Sequence, residues 1–381
     1  MADHSQRDHA VLSASGSHRW LACTPSARLE EQFPDTTSEA ALEGTLAHEI
    51  CELKVQQLLN GVDIEALIDT KREHELYQEE MDRYTSDYAE FIRNEMIGYP
   101  SNPYVALEKR VDLTAYIPEG FGSCDCILIG NNTIEVIDFK YGKGVPVSAE
   151  NNPQMMLYAL GAYEAYKVLF AFDKVKMTIF QPRIDNTNSW ECSLDELLAF
   201  GESVKIKATM AFNGAGEFEP GEHCRFCRAR ATCRARADHS VQLAFEDGFG
   251  QKGPLLDNSE IGKYIEMGED VAKWVEDLKE YALSQCLAGQ EVAGYKAVAG
   301  RSSRGWTDQD EAFNALMEYG VDEAMLYERK PLTVAKIEKM MGKKSFAEAI
   351  GGLVVKTEGK PTLVPESDKR EAINSLEKAF A

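Results

Sequence analysis

Apolar side chains recur at helical spacing through the first hundred residues, predicting helices around HRWLACTPSARLEEQF, over SEAALEGTLAHEICELKVQQLLN and over HELYQEEMDRYTSDYAEFIRNEM. The period then changes. YVALEKRVDL (104–113), CDCILIG (124–130) and TIEVIDFK (133–140) are dense in β-branched and apolar residues, and an Asn-Asn turn separates the last two, so they read as a meander of three strands. A glycine-bearing loop, YGKGVPVSAENN, leads into a long helix, PQMMLYALGAYEAYKVL, followed by a strand, VKMTIFQPRI, and a helix, LDELLAFGESVKIKATMAF. Beyond about residue 245 helical blocks alternate with AGYKAVAGRSSRGWTD, LTVAKIEKMMGKKSFAEAI and KPTLVPESDKREAI. The expected organisation is an α/β domain over residues 1–243 and a separate, mostly helical region over 244–381.

The chain has 381 residues, enough to bury a full core. No apolar run approaches a membrane span, and MADHSQRDHAVLSASGSHRW lacks the charged-then-apolar pattern of a secretory signal, so the expected location is the cytoplasm, with no membrane partner. In that reducing compartment the 9 cysteines are not expected to form disulfides. A net charge of −22 argues against indiscriminate adhesion to nucleic acid. One segment opposes the average: residues 224–236 carry Arg225, Arg228, Arg230, Arg234 and Arg236 and no acidic residue.

Side-chain parity locates candidate chemistry. Residues two apart in a strand share a face, which groups Asp125 with Ile127 and Ile129, and Asp138 with Val136 and Lys140. If the Asn-Asn turn pairs the strands as a hairpin, Asp125 and Asp138 converge at its open end, and a slip of one residue would separate them. Two carboxylates beside an amine suit a hard divalent cation such as Mg²⁺ or Mn²⁺, which leaves room for waters and a phosphate. Asp-x-Lys alone more often marks a solvated strand end. Here the apolar run around Asp138 would bury it, and a buried charge needs a partner or a metal.

These residues carry a family resemblance. Gly122 to Asp125 as G-x-x-D, then Asp138, Phe139 and Lys140 as D-x-K, then Gln154 and Tyr158 as Q-x-x-x-Y resemble the RecB-like branch of the PD-(D/E)XK nuclease superfamily. Gly44 to His48 looks like that branch's G-T-x-x-H helix. The resemblance implies a restriction-endonuclease-like core over roughly residues 15–240, a central mixed sheet flanked by helices. It implies metal ligands His48, Asp125 and Asp138, a catalytic Lys140, and Gln154 and Tyr158 positioned over the site. HEICE also begins like the zinc-protease motif H-E-x-x-H, but Glu52 stands where that motif needs its second histidine.

Cys224, Cys227 and Cys233 form C-x-x-C-x-x-x-x-x-C, one thiolate short of a four-cysteine site. Iron-sulfur members of the same branch place one cysteine before the G-T-x-x-H helix and three after the nuclease core. Cys23 matches the first position, which implies a 4Fe-4S cluster stapling the two ends of the core. Zinc is the competing ligand for four cysteines. Iron-sulfur DNA glycosylases share the triplet but carry a further cysteine seven positions upstream, where this chain has Glu217. Arg225, Arg228, Arg230 and Arg234 around the staple are expected to meet DNA phosphates. Cys124 and Cys126 are expected to point away from Asp125.

The whole pattern resembles a group of phage and prophage proteins related to these nucleases. It implies a DNA exonuclease in phage recombination or replication, with a single-strand annealing or binding protein as a possible partner. A non-catalytic DNA-binding scaffold and a nuclease of CRISPR adaptation are the alternatives.

Overall fold

Five strands make one sheet in the order β1-β2-β3-β4-β5. Strands β1 (Tyr104–Asp112), β2 (Phe121–Gly130) and β3 (Thr133–Phe139) form the expected antiparallel meander. Helix α6 (Pro153–Tyr166) carries the chain across to β4 (Lys174–Gln181), which runs parallel to β3, and β5 (Asn186–Ser193) returns antiparallel at the edge. The computed structural model describes residues 10–34, 39–61, 63–245, 258–299, 307–327, 332–350 and 353–354.

Helices cover both faces of the sheet. On one side Ile127, Ile129, Ile134 and Val136 pack against Leu157 and Leu160 of α6 and Leu197 and Val204 of α7 (Leu194–Phe212). On the other, Leu128, Ile137 and Phe139 meet Ile50 and Val55 of α3 (Glu39–Asn60) and Met81 and Ile92 of α5 (Glu79–Gly98). Local signals fix the helix starts. The Asn152 side chain accepts hydrogen bonds from the N–H groups of Gln154 and Met155 ahead of Pro153, and Ser193 and Glu196 form a capping box on α7. Strand β5 was not expected from the sequence. Its NTNSWECS stretch is mostly polar because it is an edge strand, ordered by pairing with β4 rather than by double-sided burial.

The alternation of side chains breaks once, at the level of Glu108 and Asp125. The pairs Leu107↔Cys126 and Lys109↔Cys124 bracket those two residues, and Glu108 has φ 42°. Below the break Leu107 and Cys126 face α3 and α5, whereas beyond it Val111 and Cys124 face α6. Cys124 therefore does not share a face with Cys126 as strict parity predicts; its sulfur lies 3.8 Å from the Tyr158 carbonyl. A non-glycine residue at positive φ costs about 1–2 kcal/mol, and such strain concentrates at functional sites.

The chain divides into residues 1–297 and 298–381. The expected boundary near 244 is displaced because α9 (Asn258–Leu287) packs on α8 (Arg234–Phe245), with the Asp277 carboxylate 2.6 Å from the buried guanidinium of Arg236. The second unit holds α10 (Gln309–Glu318), α11 (Val334–Met341) and α12 (Lys343–Ile350), mostly helical as expected. The stretch KPTLVPESDKREAI lies outside the described residues. Among the described residues no helix is long and apolar enough to cross a membrane.

Candidate metal centre

Continuing the register of Ile127↔Val136 and Cys126↔Ile137 by one residue sets Asp125 opposite Asp138. The register thus places the two residues opposite each other at the open end of the hairpin, and the Asp125 charge acts on Asp138. Asp125 Oδ2 accepts a hydrogen bond from the Phe139 N–H at 2.7 Å, and His48 Nδ1 on α3 stands 3.4 Å from Asp125 Oδ1. Lys140 Nζ is 3.0 Å from Asp138 Oδ2 and also donates to Gln154 Oε1 at 3.3 Å. Gln154 Nε2 donates to Asp138 Oδ1 at 3.1 Å and to the Tyr158 hydroxyl at 3.4 Å. All six residues singled out in the sequence fall in one cluster.

Glu108 joins them and was missed. It faces Asp125 across the β1–β2 break, and one ligand atom each from His48, Glu108 and Asp125 all lie within 4.8 Å of one another. Its signal was an acidic residue inside the apolar run of β1, easily read as a solvated position.

Burial and like charges act together on the carboxylates of this cluster. Burial opposes the charge on His48, but the Asp125 carboxylate outweighs it and lifts the imidazole pKa to about 9. Burial, then the Asp125 charge, pushes Glu108 up to about 7. Burial also raises Asp138, against the pull of Lys140, while Asp125 stays below its usual range because His48, the Phe139 N–H and Lys140 outweigh its burial. Asp138 Oδ2 is buried without a well-aligned hydrogen bond, despite the nearby ammonium. The mutually close ligand atoms of His48, Glu108 and Asp125 are a donor set that suits a divalent cation taking oxygen and nitrogen; Asp138, with its buried unsatisfied Oδ2, stands outside that set.

Gly122 explains how α6 reaches the site. A Cβ there would sit 2.8 Å from Tyr158 Cε1, so the absent side chain lets the tyrosine lie flat on β2. Gly122→Ala is expected to displace Tyr158 and with it Gln154, destabilising the fold by about 1–3 kcal/mol; thermal denaturation measures this, and an unchanged melting temperature would contradict the packing account.

The cysteines form a second focus. Cys23, Cys224, Cys227 and Cys233 line one cavity together with Arg19, Arg230 and Arg236. Cys23 follows α1 (Ser17–Ala22) and precedes α2 (Ser26–Glu30), and these helices are tied to the end of α7. Thr24 donates to the Ala215 carbonyl at 2.6 Å, and Glu30 Oε1 accepts from the Arg228 N–H at 2.9 Å, fastening α2 to the cysteine loop. Burial raises the thiol pKa of Cys23 and Cys224 and, with Glu30 next, pushes Cys227 to about 12. A metal that binds thiolates would displace those protons. The four cysteines thus supply the donor set that a four-thiolate group would require, gathered on one cavity.

The arginines divide. Arg225, Arg228 and Arg234 are exposed, but Arg230 lies 3.1 Å from Asp277 and 3.6 Å from Glu280 of α9, and Arg236 is buried against Asp277. Sequence alone gave no sign that two of these cations would be paired from residues forty positions away.

Fold and site define an α/β protein, a five-stranded mixed sheet flanked by helices that carries a histidine-carboxylate cluster at its strand ends. The profile of a family described as protein of unknown function, DUF2800, matches residues 9–371, and the chain belongs to that family. A solved structure titled "Crystal structure of SSO0001" aligns with 50% of this chain and 85% of its own, at 14% identity and a TM-score of 0.26, a likeness too slight to bear on the fold.

Proposed function

We propose that the chain is a metal-dependent deoxyribonuclease with a restriction-endonuclease-like core, an exonuclease acting at DNA ends in phage recombination or replication, braced by a 4Fe-4S cluster on Cys23, Cys224, Cys227 and Cys233. The observation that carries the reading is the convergence of Asp125 and Asp138 across one strand pair, with Lys140 Nζ 3.0 Å from the second carboxylate and His48 3.4 Å from the first. His48, Glu108, Asp125 and Asp138 would hold Mg²⁺ or Mn²⁺. Bound there, the ion supplies Lewis acidity toward a phosphoryl oxygen and a more acidic water.

The protein's own groups do the positioning. Lys140, held between Asp138 and Gln154, is placed to orient the attacking water and to balance charge on the pentavalent phosphorus. The water oxygen bonds to phosphorus as the bridging P–O bond breaks, and the leaving oxygen takes up a proton. Gln154, joined to Asp138, Lys140 and Tyr158, fixes the amine and carboxylate relative to each other.

A scaffold that merely binds DNA would not need an ammonium held against a buried carboxylate. The test is digestion of end-labelled linear DNA beside closed circular DNA in Mg²⁺ or Mn²⁺, using anaerobically purified protein. Loss of the linear substrate alone is expected, falling by at least about a hundredfold in Lys140→Ala. Equal digestion by wild type and variant, or no digestion of any substrate, would defeat the catalytic reading.

A further inference from the structure

Phe226 is an apolar ring held out in solvent, 49% exposed, between two cysteines that face inward. Its backbone is not loose. It ends the short 3₁₀ turn Glu222–Phe226, closed by the Cys227 N–H to the Cys224 carbonyl at 3.0 Å and braced one residue further on by the Glu30 bond to the Arg228 N–H. The guanidinium of Arg225 lies 4.5 Å from the ring centroid, and the His18 imidazole meets the ring edge-on at 5.5 Å. The turn thus holds the ring at the surface in a fixed position, with one guanidinium and one imidazole against it.

We infer that Phe226, flanked by Arg225 and His18, is a stacking platform for the bases of single-stranded DNA. An aromatic face accepts any base, and an adjacent guanidinium adds stacking and phosphate contacts; this combination binds single strands without reading sequence. A duplex keeps its bases stacked on one another and offers the ring nothing. Charge toward that partner comes from Arg225 against the ring, with Arg228 and Arg234 exposed in the same segment, whereas Arg230 and Arg236 are taken up by Asp277. Helix α1, which carries His18, packs on both the Glu222–Phe226 turn and α6, and Ala14 just before it lies beside Tyr158 and Gly122. Helix α1 thus packs on both the element that carries the platform and the helix that carries Gln154 and Tyr158; a single-stranded substrate for the nuclease is the part of this inference that rests on the proposed function.

Fluorescence anisotropy with labelled oligo(dT), in EDTA to prevent cleavage, separates the two claims. The full-length protein is expected to bind oligo(dT) more tightly than a duplex of equal length, and an abasic strand of the same length about tenfold more weakly than oligo(dT). Phe226→Ala should weaken oligo(dT) binding by about the same factor, with Phe226→Tyr restoring it and circular dichroism unchanged in both. Equal affinity for the abasic strand, or preference for the duplex, overturns the platform without any variant having to fold. Metal-free binding that behaves as expected in a protein that cuts no DNA would leave the platform standing and sink the nuclease.

Discussion

Asp125→Asn is expected to lower metal-dependent DNA cleavage by about three orders of magnitude, a loss of roughly 4 kcal/mol of transition-state stabilisation, without unfolding the protein. Asp125 is the residue every other member of the cluster answers to. It stands between Glu108 on β1 and Asp138 on β3, pairs with His48, and accepts the Phe139 N–H. An amide can still accept that backbone hydrogen bond, so the local frame survives. Removing the charge relieves the pressure that helps hold Glu108 near pH 7 and lets His48 fall toward its ordinary range, so no buried charge is newly stranded. Stability measured in EDTA should therefore not fall. The separate signature is metal linkage: Mn²⁺ should raise the melting temperature of wild type, because an ion that binds only the folded state stabilises it, and should leave Asp125→Asn unmoved. A variant that keeps the full Mn²⁺ shift would remove Asp125 from the ligand set.

That Asp125 and Asp138 would stand opposite each other was legible because it depended only on hairpin register and a two-residue turn, both local properties. Helix α6 was legible for the same reason, its Asn152-Pro153 start being a cap and first-turn signal in adjacent residues. What escaped was set by tertiary structure. Strand β5 has no apolar pattern of its own and exists by pairing with β4. Glu108 and Cys124 were misplaced together, because one positive φ at Glu108 turns both strands over where parity assumes an unbroken ladder. Arg230 and Arg236 looked like free cations until α9 supplied Asp277 from a part of the chain that the sequence assigned to another domain. The exposed basic patch is correspondingly smaller than composition suggests, its exposed arginines being Arg225, Arg228 and Arg234.

Cys23→Ser tests whether the four thiols act as one staple, and its expected effect is loss of iron, of the brown colour and of about 5 kcal/mol of stability. That figure follows from loop entropy. Cys23 and Cys224 are about two hundred residues apart, and a cross-link closing a loop of that length restricts the unfolded chain by roughly this amount. The hydrogen bonds that remain, among them Thr24 to the Ala215 carbonyl, Lys207 to the Leu21 carbonyl at 2.9 Å and the Arg228 N–H to Glu30 Oε1, are individually worth only about 1 kcal/mol. A single serine should thus loosen the N-terminal helices, exposing Trp20, whose ring is 3% exposed in the folded chain and whose indole N–H is bonded to the Ser13 carbonyl. Tryptophan fluorescence should shift to the red and limited proteolysis should begin before residue 39, where α3 starts. Cys286→Ser, on α9 and absent from the cavity lining, is the control expected to retain iron. Wild type that carries zinc and no iron would overturn the cluster while leaving the staple to be judged by the stability loss alone.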